Sequence, residues 1–271
     1  MLPPIKEYPF ALRPMIAAHR GDTSLSASEN SLDAIANAMI SGAEMIEVDV
    51  QQTIDNVFVC HHDETLMFES GRHAIVHRHT YDELQSALAN ENRSLTKLHD
   101  VLSIAAGKIY LNLEIKEYSD RHPRPFMDAL ERLLREFRME ESVLFSSFRL
   151  EFIHEASWNV PSVIIQPTPE MYFYFAARTP EPLVLHQPIE QLLPSELMKA
   201  SHATSYACML EELTGARLAD IRKHNILLSV YTIASEEAFE QALALGAKAL
   251  VCEQPSHFVA LRNARYPRTL I

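Results

Sequence analysis

The chain has 271 residues, 47% of them hydrophobic and 22% charged, which is enough for one large domain with a substantial core. Its formal net charge of −12 excludes a general nucleic-acid-binding surface and a polybasic membrane patch, because both need clustered Lys and Arg. Any anionic ligand must therefore be met by local cations. The three cysteines, Cys60, Cys208 and Cys252, are odd in number and lack metal-ligand spacing, so they read as free thiols of a reducing, cytoplasmic compartment. Tyr8–Ala18 is moderately apolar but is broken by Arg13 and Pro14, so neither a signal-peptide core nor a transmembrane segment is expected there.

Strand and helix patterns alternate along the chain, the signature of a parallel α/β fold. Met15–His19 reads as the first strand. Ser28-Glu29-Asn30-Ser31 opens a helix that runs to about Ser41, with Ser28 as its N-cap and Gly42 as its stop. Glu44–Val50 is the second strand, with Val57–Cys60 as its extension or a short companion. The polar stretch 64–97 is too long for a barrel loop and reads as a small insertion carrying a helix over Tyr81–Ala89. Leu98–Ala106 follows as a helix, Lys108–Ile115 as the third strand and Arg124–Arg138 as an amphipathic helix. Ser142–Phe145, Ser162–Gln166, His202–Tyr206, Ile226–Tyr231 and Lys248–Cys252 supply five more strands. Eight strands over residues 1–271 fit a single (β/α)8 TIM barrel, which typically takes about 250 residues. The connection from Pro167 to Pro194 is rich in proline and hides its elements. Within it, Met171-Tyr-Phe-Tyr-Phe175 is an apolar stripe expected to pack into the core.

Glycines are few and therefore informative. Gly42 and Gly246 each stand between a helix and a strand, where a left-handed cap is expected. Gly21 follows His19-Arg20 at the carboxyl end of a strand, where it serves either a close ligand approach or a tight turn.

The period of two along a strand places chemistry on one face. In Glu44–Val50, Ile46, Val48 and Val50 share a side while Glu47 and Asp49 share the other. Tyr110–Lys116 repeats the pattern, with Leu111, Leu113 and Ile115 alternating with Asn112, Glu114 and Lys116. In a barrel the face away from the helices lines the axis, and residues near the carboxyl ends of strands open onto the site. Burying an uncompensated carboxylate costs several kcal/mol, so Glu47, Asp49 and Glu114 converging there need a cation, shared protons or basic partners. One divalent ion is the economical answer, and an all-oxygen set favours magnesium, calcium or manganese over zinc. Among thirteen histidines, His19 ends the first strand and His62 follows Val57–Cys60, so both lie at the end that the carboxylates face. The His-Asp pair with Asp63 separates His62 from His61.

These residues match a known pattern. His19-Arg20-Gly21, Ser28-Glu29-Asn30-Ser31, Glu47-Val48-Asp49, His62-Asp63 and Glu114-Ile115-Lys116 stand in the order and spacing of the glycerophosphodiester phosphodiesterases, which this chain resembles. The resemblance continues through Leu95-Thr96-Lys97-Leu98, Val143–Phe148 and Val230-Tyr231-Thr232, and is weakest from about 150 to 215. It implies a (β/α)8 barrel in which Glu47, Asp49 and Glu114 hold one divalent cation. His19 and His62 would be general acid and base, and Arg20 and Lys116 would contact the phosphate. The substrate would be a small glycerophosphodiester, hydrolysed to glycerol 3-phosphate and an alcohol. The family's Pro-Glu-Asn-Thr is Ser-Glu-Asn-Ser here, its Thr-Asp-x-Pro is Cys252-Glu253-Gln254-Pro255, and its Trp before Thr is Tyr231. The last two positions shape the end of the pocket and so bear on leaving-group preference. Two other readings share the barrel: a phospholipase acting on an intact lipid, and a non-catalytic barrel binding phosphorylated ligands. Retention of every ionisable member of the motif set stands against the second. Ser146 and Ser147 lack a Gly-x-Ser-x-Gly context and are expected to cap the helix that follows.

Overall fold

The computed structural model describes residues 2–25, 27–156, 160–176, 185 and 187–266, and at 172, 173, 175 and 176 the backbone alone. In chain order the strands are β1 (Met15–Ala18), β2 (Met45–Gln52), β3 (Phe58–Cys60), β4 (Thr65–Met67), β5 (His73–Ile75), β6 (Thr96–Lys97), β7 (Tyr110–Ile115), β8 (Val143–Ser147), β9 (Ser162–Ile165), β10 (Ser205–Cys208), β11 (Leu228–Ile233) and β12 (Ala249–Cys252). Eight of these, β1, β2 and β7 to β12, run parallel with each bonded to the next, and β1 pairs with both β2 and β12. That double pairing closes the sheet into a (β/α)8 barrel.

The helices are α1 (Leu32–Ser41), α2 (Tyr81–Ala89), α3 (Leu98–Ala105), α4 (Pro123–Phe137), α5 (Leu150–Glu155), α6 (Pro169–Ala176), α7 (Pro194–Ser201), α8 (Gly215–Lys223), α9 (Glu236–Leu245) and α10 (Pro255–Arg265). Ile46, Val48 and Val50 of β2 pack in one apolar layer with Leu98, Val101 and Leu102 of α3. Each such fully buried side chain contributes roughly 1.5–3 kcal/mol relative to exposure. A slip of β2 by one residue would forfeit that and turn Glu47 and Asp49 outward, so the apolar face fixes where the carboxylates point. Inside the barrel, Met15, Ala17, Met45, Tyr110 and Val251 form a second apolar cluster toward the amino-terminal ends of the strands.

Between β2 and α3 the chain makes an excursion. β3 runs antiparallel to β2 and is thus a companion rather than an extension, β6 pairs with β3, and β4 and β5 form a separate hairpin. Val59, Leu66, Ala74, Val76, Leu84, Leu88 and Leu95 give it a small core of its own. α2 opens on a capping box in which the Thr80 hydroxyl accepts from Glu83 N–H while the Glu83 carboxylate accepts from Thr80 N–H.

Several expectations are corrected. α1 starts at Leu32, with Ser31 rather than Ser28 as N-cap, because Asn30 adopts φ 57° and its N–H donates to the Arg20 carbonyl, holding 28–30 in a turn. The sixth barrel strand is Ser205–Cys208, not His202–Tyr206: His202 sits at φ 58° as the left-handed cap of α7. Ser146 does not cap a helix. Its hydroxyl donates to Asn112 Oδ1 inside the barrel, while Ser147 Oγ accepts from Arg149 N–H just before α5. The apolar stripe lies on α6, where Met171 and Tyr174 line a cavity rather than the core, and the side chains of Tyr172, Phe173 and Phe175 are outside the described residues. Of the proline-rich connection, residues 177–184 and 186 are also outside them.

Gly21 serves the turn and a close approach, but the approach is to α1. Its φ is +90°, and a Cβ there would meet the Ala34 carbonyl carbon and Cβ at 2.7 Å. Strain and overpacking each cost roughly 1–3 kcal/mol, so Gly21→Ala is expected to lose about 2–4 kcal/mol in a denaturant titration. An unchanged midpoint would contradict this packing.

At the opposite end of the barrel a buried charge cluster ties the last helix to the first two strands. Arg262 of α10 is fully buried and donates through Nη1 to Glu44 Oε2 (2.6 Å) and to the Pro14 carbonyl (3.0 Å). The same Glu44 oxygen accepts from Ile16 N–H of β1 at 3.1 Å, and Glu44 Oε1 lies 3.3 Å from Arg13 Nη2.

Candidate active site

The strand register explains how two distant motifs meet. β2 and β7 pair with Glu47 opposite Asn112 and Asp49 opposite Glu114, so Glu114 enters beside Asp49 although 65 residues separate them in sequence. His19 follows the pair Ala18–Ile46 by one residue and so stands next to Glu47, with its Nε2 4.0 Å from Glu47 Oε2. Among the described residues, Glu47, Asp49 and Glu114 each offer an oxygen within 4.8 Å of the others. Glu47 and Asp49 are buried and Glu114 nearly so.

Glu47 and Asp49 each have one oxygen engaged and one buried oxygen with no hydrogen-bond partner, while Glu114 Oε1 meets Lys116. Glu47 Oε2 accepts from Arg20 N–H (2.9 Å) and Asp49 Oδ2 accepts from Asn30 Nδ2 (2.8 Å), which leaves Glu47 Oε1 and Asp49 Oδ1 without such bonds. The cations beside them are Arg20, with Nε 3.1 Å from Asp49 Oδ2, and Lys116, with Nζ 2.5 Å from Glu114 Oε1 and 3.7 Å from Asp49 Oδ1. Three negative and two positive charges leave a net −1. Burial, then the charges of Asp49 and Glu114, hold the Glu47 carboxyl well above the usual carboxylate range. Three carboxylate oxygens converging in one small space, two of them unbonded and one of these on a carboxyl that resists ionisation, are the donor set a hard divalent cation fits. The two cations keep their charge: burial opposes it, but Glu114 and Asp49 outweigh that at Lys116, as Asp49 and Glu29 do at Arg20.

A folded-state pKa above the unfolded one adds stability that is fully present below the unfolded pKa and is lost as pH rises through the folded value. In cation-free protein, Glu47→Gln is therefore expected to gain stability relative to wild type as pH climbs from the carboxylate range toward neutrality. Thermal melts across pH check this, and a difference that stays flat would contradict it.

Both histidines carry a carboxylate on Nδ1. His19 Nδ1 lies 2.8 Å from Glu253 Oε1, and His62 Nδ1 lies 2.7 Å from Asp63 Oδ1. The bond from His19 holds the Glu253 carboxyl below the usual carboxylate range, and the bond from His62 does the same to Asp63. The loop bearing His62 is fixed by Gln51 of β2, whose Nε2 donates to the carbonyls of His61 and Asp63 at 2.7 Å each, and by Tyr118, whose hydroxyl donates to the His62 carbonyl. His61 is committed elsewhere, donating from Nε2 to the Thr65 carbonyl, and burial lowers its pKa.

Three contributors were not assigned these contacts from sequence. Asn30 accepts from Asp49 N–H (3.1 Å) and donates to its carboxylate, a two-point clamp readable afterwards in the left-handed turn that an Asn tolerates. Glu29 pairs with the Arg20 guanidinium at 2.9 Å and so orients it beside Asp49. Glu253 reaches His19 from the far end of the chain.

A cavity of about 1210 Å³ follows the barrel interior, with His19, Glu47 and Glu114 toward the carboxyl ends of the strands and Met15, Met45, Val163 and Val251 deeper in. A second cavity of about 310 Å³ lies beside Lys116, walled by Tyr118, Phe148, Met171 and Tyr174. A site of this composition can hold a divalent cation, meet a singly charged anion and exchange two protons.

The chain is similar to known proteins over most of its length. A glycerophosphodiester phosphodiesterase of Bacillus altitudinis is 27% identical, over 92% of this chain and 98% of that protein. A glycerophosphodiester phosphodiesterase of Caldanaerobacter subterraneus is 24% identical over the same shares. Among solved structures, an Oleispira antarctica phosphodiesterase in complex with the product sn-glycerol-3-phosphate superposes with a TM-score of 0.72 at 18% identity, covering 93% of this chain and 97% of that one. A Silicibacter pomeroyi structure gives 0.75 at 18%, covering 94% and 96%. The model of the glycerophosphoryl diester phosphodiesterase family matches residues 19–257, from the first of these histidines to beyond Glu253, and the chain belongs to that family.

Proposed function

We propose that this protein hydrolyses glycerophosphodiesters to glycerol 3-phosphate and an alcohol, with one divalent cation on Glu47, Asp49 and Glu114 and with His19 and His62 as the proton carriers. The observation that carries it is the convergence of three carboxylates, two of them with a buried unbonded oxygen, beside His19, whose Nδ1 is paired with a carboxylate as is that of His62. Family membership and the curated relatives' activity support the substrate class. The cation, when bound, polarises a phosphoryl oxygen and favours the ionised form of the attacking hydroxyl. Magnesium and calcium match the all-oxygen donors, with manganese a third choice.

The chain's own residues do the rest. Arg20 and Lys116 flank the carboxylates, so with a divalent ion the site carries a net +1, the complement of one phosphodiester negative charge. His19 and His62 each have Nδ1 taken by a carboxylate, which leaves Nε2 as the atom that exchanges a proton. One ring removes a proton from the nucleophile and the other supplies one to the departing alcohol. The apolar and aromatic walls beside Lys116 receive the part of the substrate beyond the phosphate. Three cysteines that are buried and unpaired support a cytoplasmic setting, and no helix of the described residues is long and apolar enough to cross a membrane.

A hydrolysis panel tests the reading: glycerophosphocholine, -ethanolamine, -glycerol and -inositol, each with magnesium, calcium and manganese, followed by release of glycerol 3-phosphate. Turnover of at least one substrate in a cation-dependent manner is expected. No turnover of any member, beside cleavage of an intact phospholipid, would replace the substrate class.

A further inference from the structure

His19 meets a carboxylate that lies 234 residues away in sequence, and the contact is not needed to close the barrel. The backbone already does so: β1 pairs with β12 through Ala18 and Cys252, and His19 N–H donates to the Cys252 carbonyl at 3.0 Å. Glu253 N–H is in turn bonded to the Ile233 carbonyl of β11 at 3.1 Å, so the sheet itself sets where this residue stands. Its side chain is 45% exposed and could turn to water, yet Oε1 lies 2.8 Å from His19 Nδ1. An ionised carboxylate only accepts, so Nδ1 holds the proton. The ring's other nitrogen then faces the carboxylate cluster, 4.0 Å from Glu47 Oε2.

We infer that Glu253 is a positioning residue for the reaction: it holds His19 in the tautomer and ring orientation that present an unprotonated Nε2 to the substrate. This rests on the assignment of His19 as a proton carrier. Asp63 bears the same geometric relation to His62, but from the adjacent position, so the two rings are oriented by independent parts of the chain. Free neutral imidazole prefers the proton on Nε2, and without a partner on Nδ1 the His19 ring would spend most of its time with the wrong nitrogen facing the site.

The test uses 15N-histidine-labelled protein and steady-state kinetics with saturating magnesium. The ring signal lost in His19→Ala identifies His19, and in the wild type it is expected to show a protonated Nδ1 and a bare Nε2. In Glu253→Leu the tautomer is expected to reverse and kcat to fall roughly 10–100-fold, the range typical of lost orienting partners, with KM little changed. Glu253→Gln, which keeps an accepting oxygen, is expected to fall between. The double variant with His19→Ala is expected to be no slower than His19→Ala alone, because the glutamate acts only through that ring. A wild-type His19 already protonated on Nε2 overturns the inference without any variant. A Glu253→Leu protein with wild-type kcat beside an inactive His19→Ala refutes the positioning role alone. A fully active His19→Ala removes the proton-carrier assignment and the inference with it.

Discussion

His62→Ala and His19→Ala are each expected to lose roughly 10²–10⁴-fold in glycerophosphodiester turnover while staying folded. The size follows from the role, since a positioned acid or base contributes about that factor. The preserved fold follows from the surroundings. Both rings lie at the mouth of the barrel, partly exposed, with one carboxylate within hydrogen-bond distance of each. Removing an exposed pair of this kind costs about 0–1 kcal/mol, which shifts the melting point of a protein of this size by about 2–4 °C at most. His61→Ala is the internal control. Its ring is spent on the Thr65 carbonyl, so turnover is expected to change far less than in His62→Ala, although the loop after β3 loosens. Equal losses at positions 61 and 62 would show that the loop, not the ring of His62, matters.

The largest expected effect on stability lies at the other end of the barrel. Arg262→Ala strands Glu44 in a nearly buried setting, with its Oε2 still bonded to Ile16 N–H and its Oε1 near Arg13. Breaking a buried pair by deleting one partner costs about 3–5 kcal/mol, because the remaining charge loses its nearest cation. Arg262 also fills space: it is fully buried and holds the Pro14 carbonyl immediately before β1. Arg262→Met with Glu44→Gln keeps the volume and the acceptor for Ile16 while removing both charges, so it is expected to recover a large part of the loss. Urea titrations of the two proteins settle the matter, and a single variant as stable as the double would contradict the account. Turnover per folded molecule is expected to stay near wild type, since the cluster sits at the end of the barrel away from His19 and Glu47.

How much of this could be read from the chain varies with the distance over which the information acts. Glu47 and Asp49 were legible as one face because strand period is a local property, and Glu114 because Glu-x-Lys repeats it on another apolar strand. The barrel followed from the alternation of elements. Asn30 escaped because its turn is stabilised from outside, by the Arg20 carbonyl and by Asp49, so local propensity favoured a helix beginning at Ser28. The sixth strand was misplaced for a related reason. His202 can end a helix in the left-handed region without being glycine, and nothing in its neighbours marks the stop. Glu253 meets His19 only because β12 closes against β1, a tertiary event that no local pattern encodes. Met171 and Tyr174 were read as core because an apolar stripe looks the same whether it faces a core or a cavity.

If three carboxylates hold a cation on which two oriented histidines depend, turnover must follow the cation. The most direct measurement is glycerol 3-phosphate release by the wild-type protein in magnesium, after excess chelator, and after magnesium or calcium is restored. Chelation is expected to abolish turnover and restored cation to recover it, and Glu114→Ala is expected to show little turnover in all three conditions while remaining folded. Full activity in excess chelator would contradict this dependence.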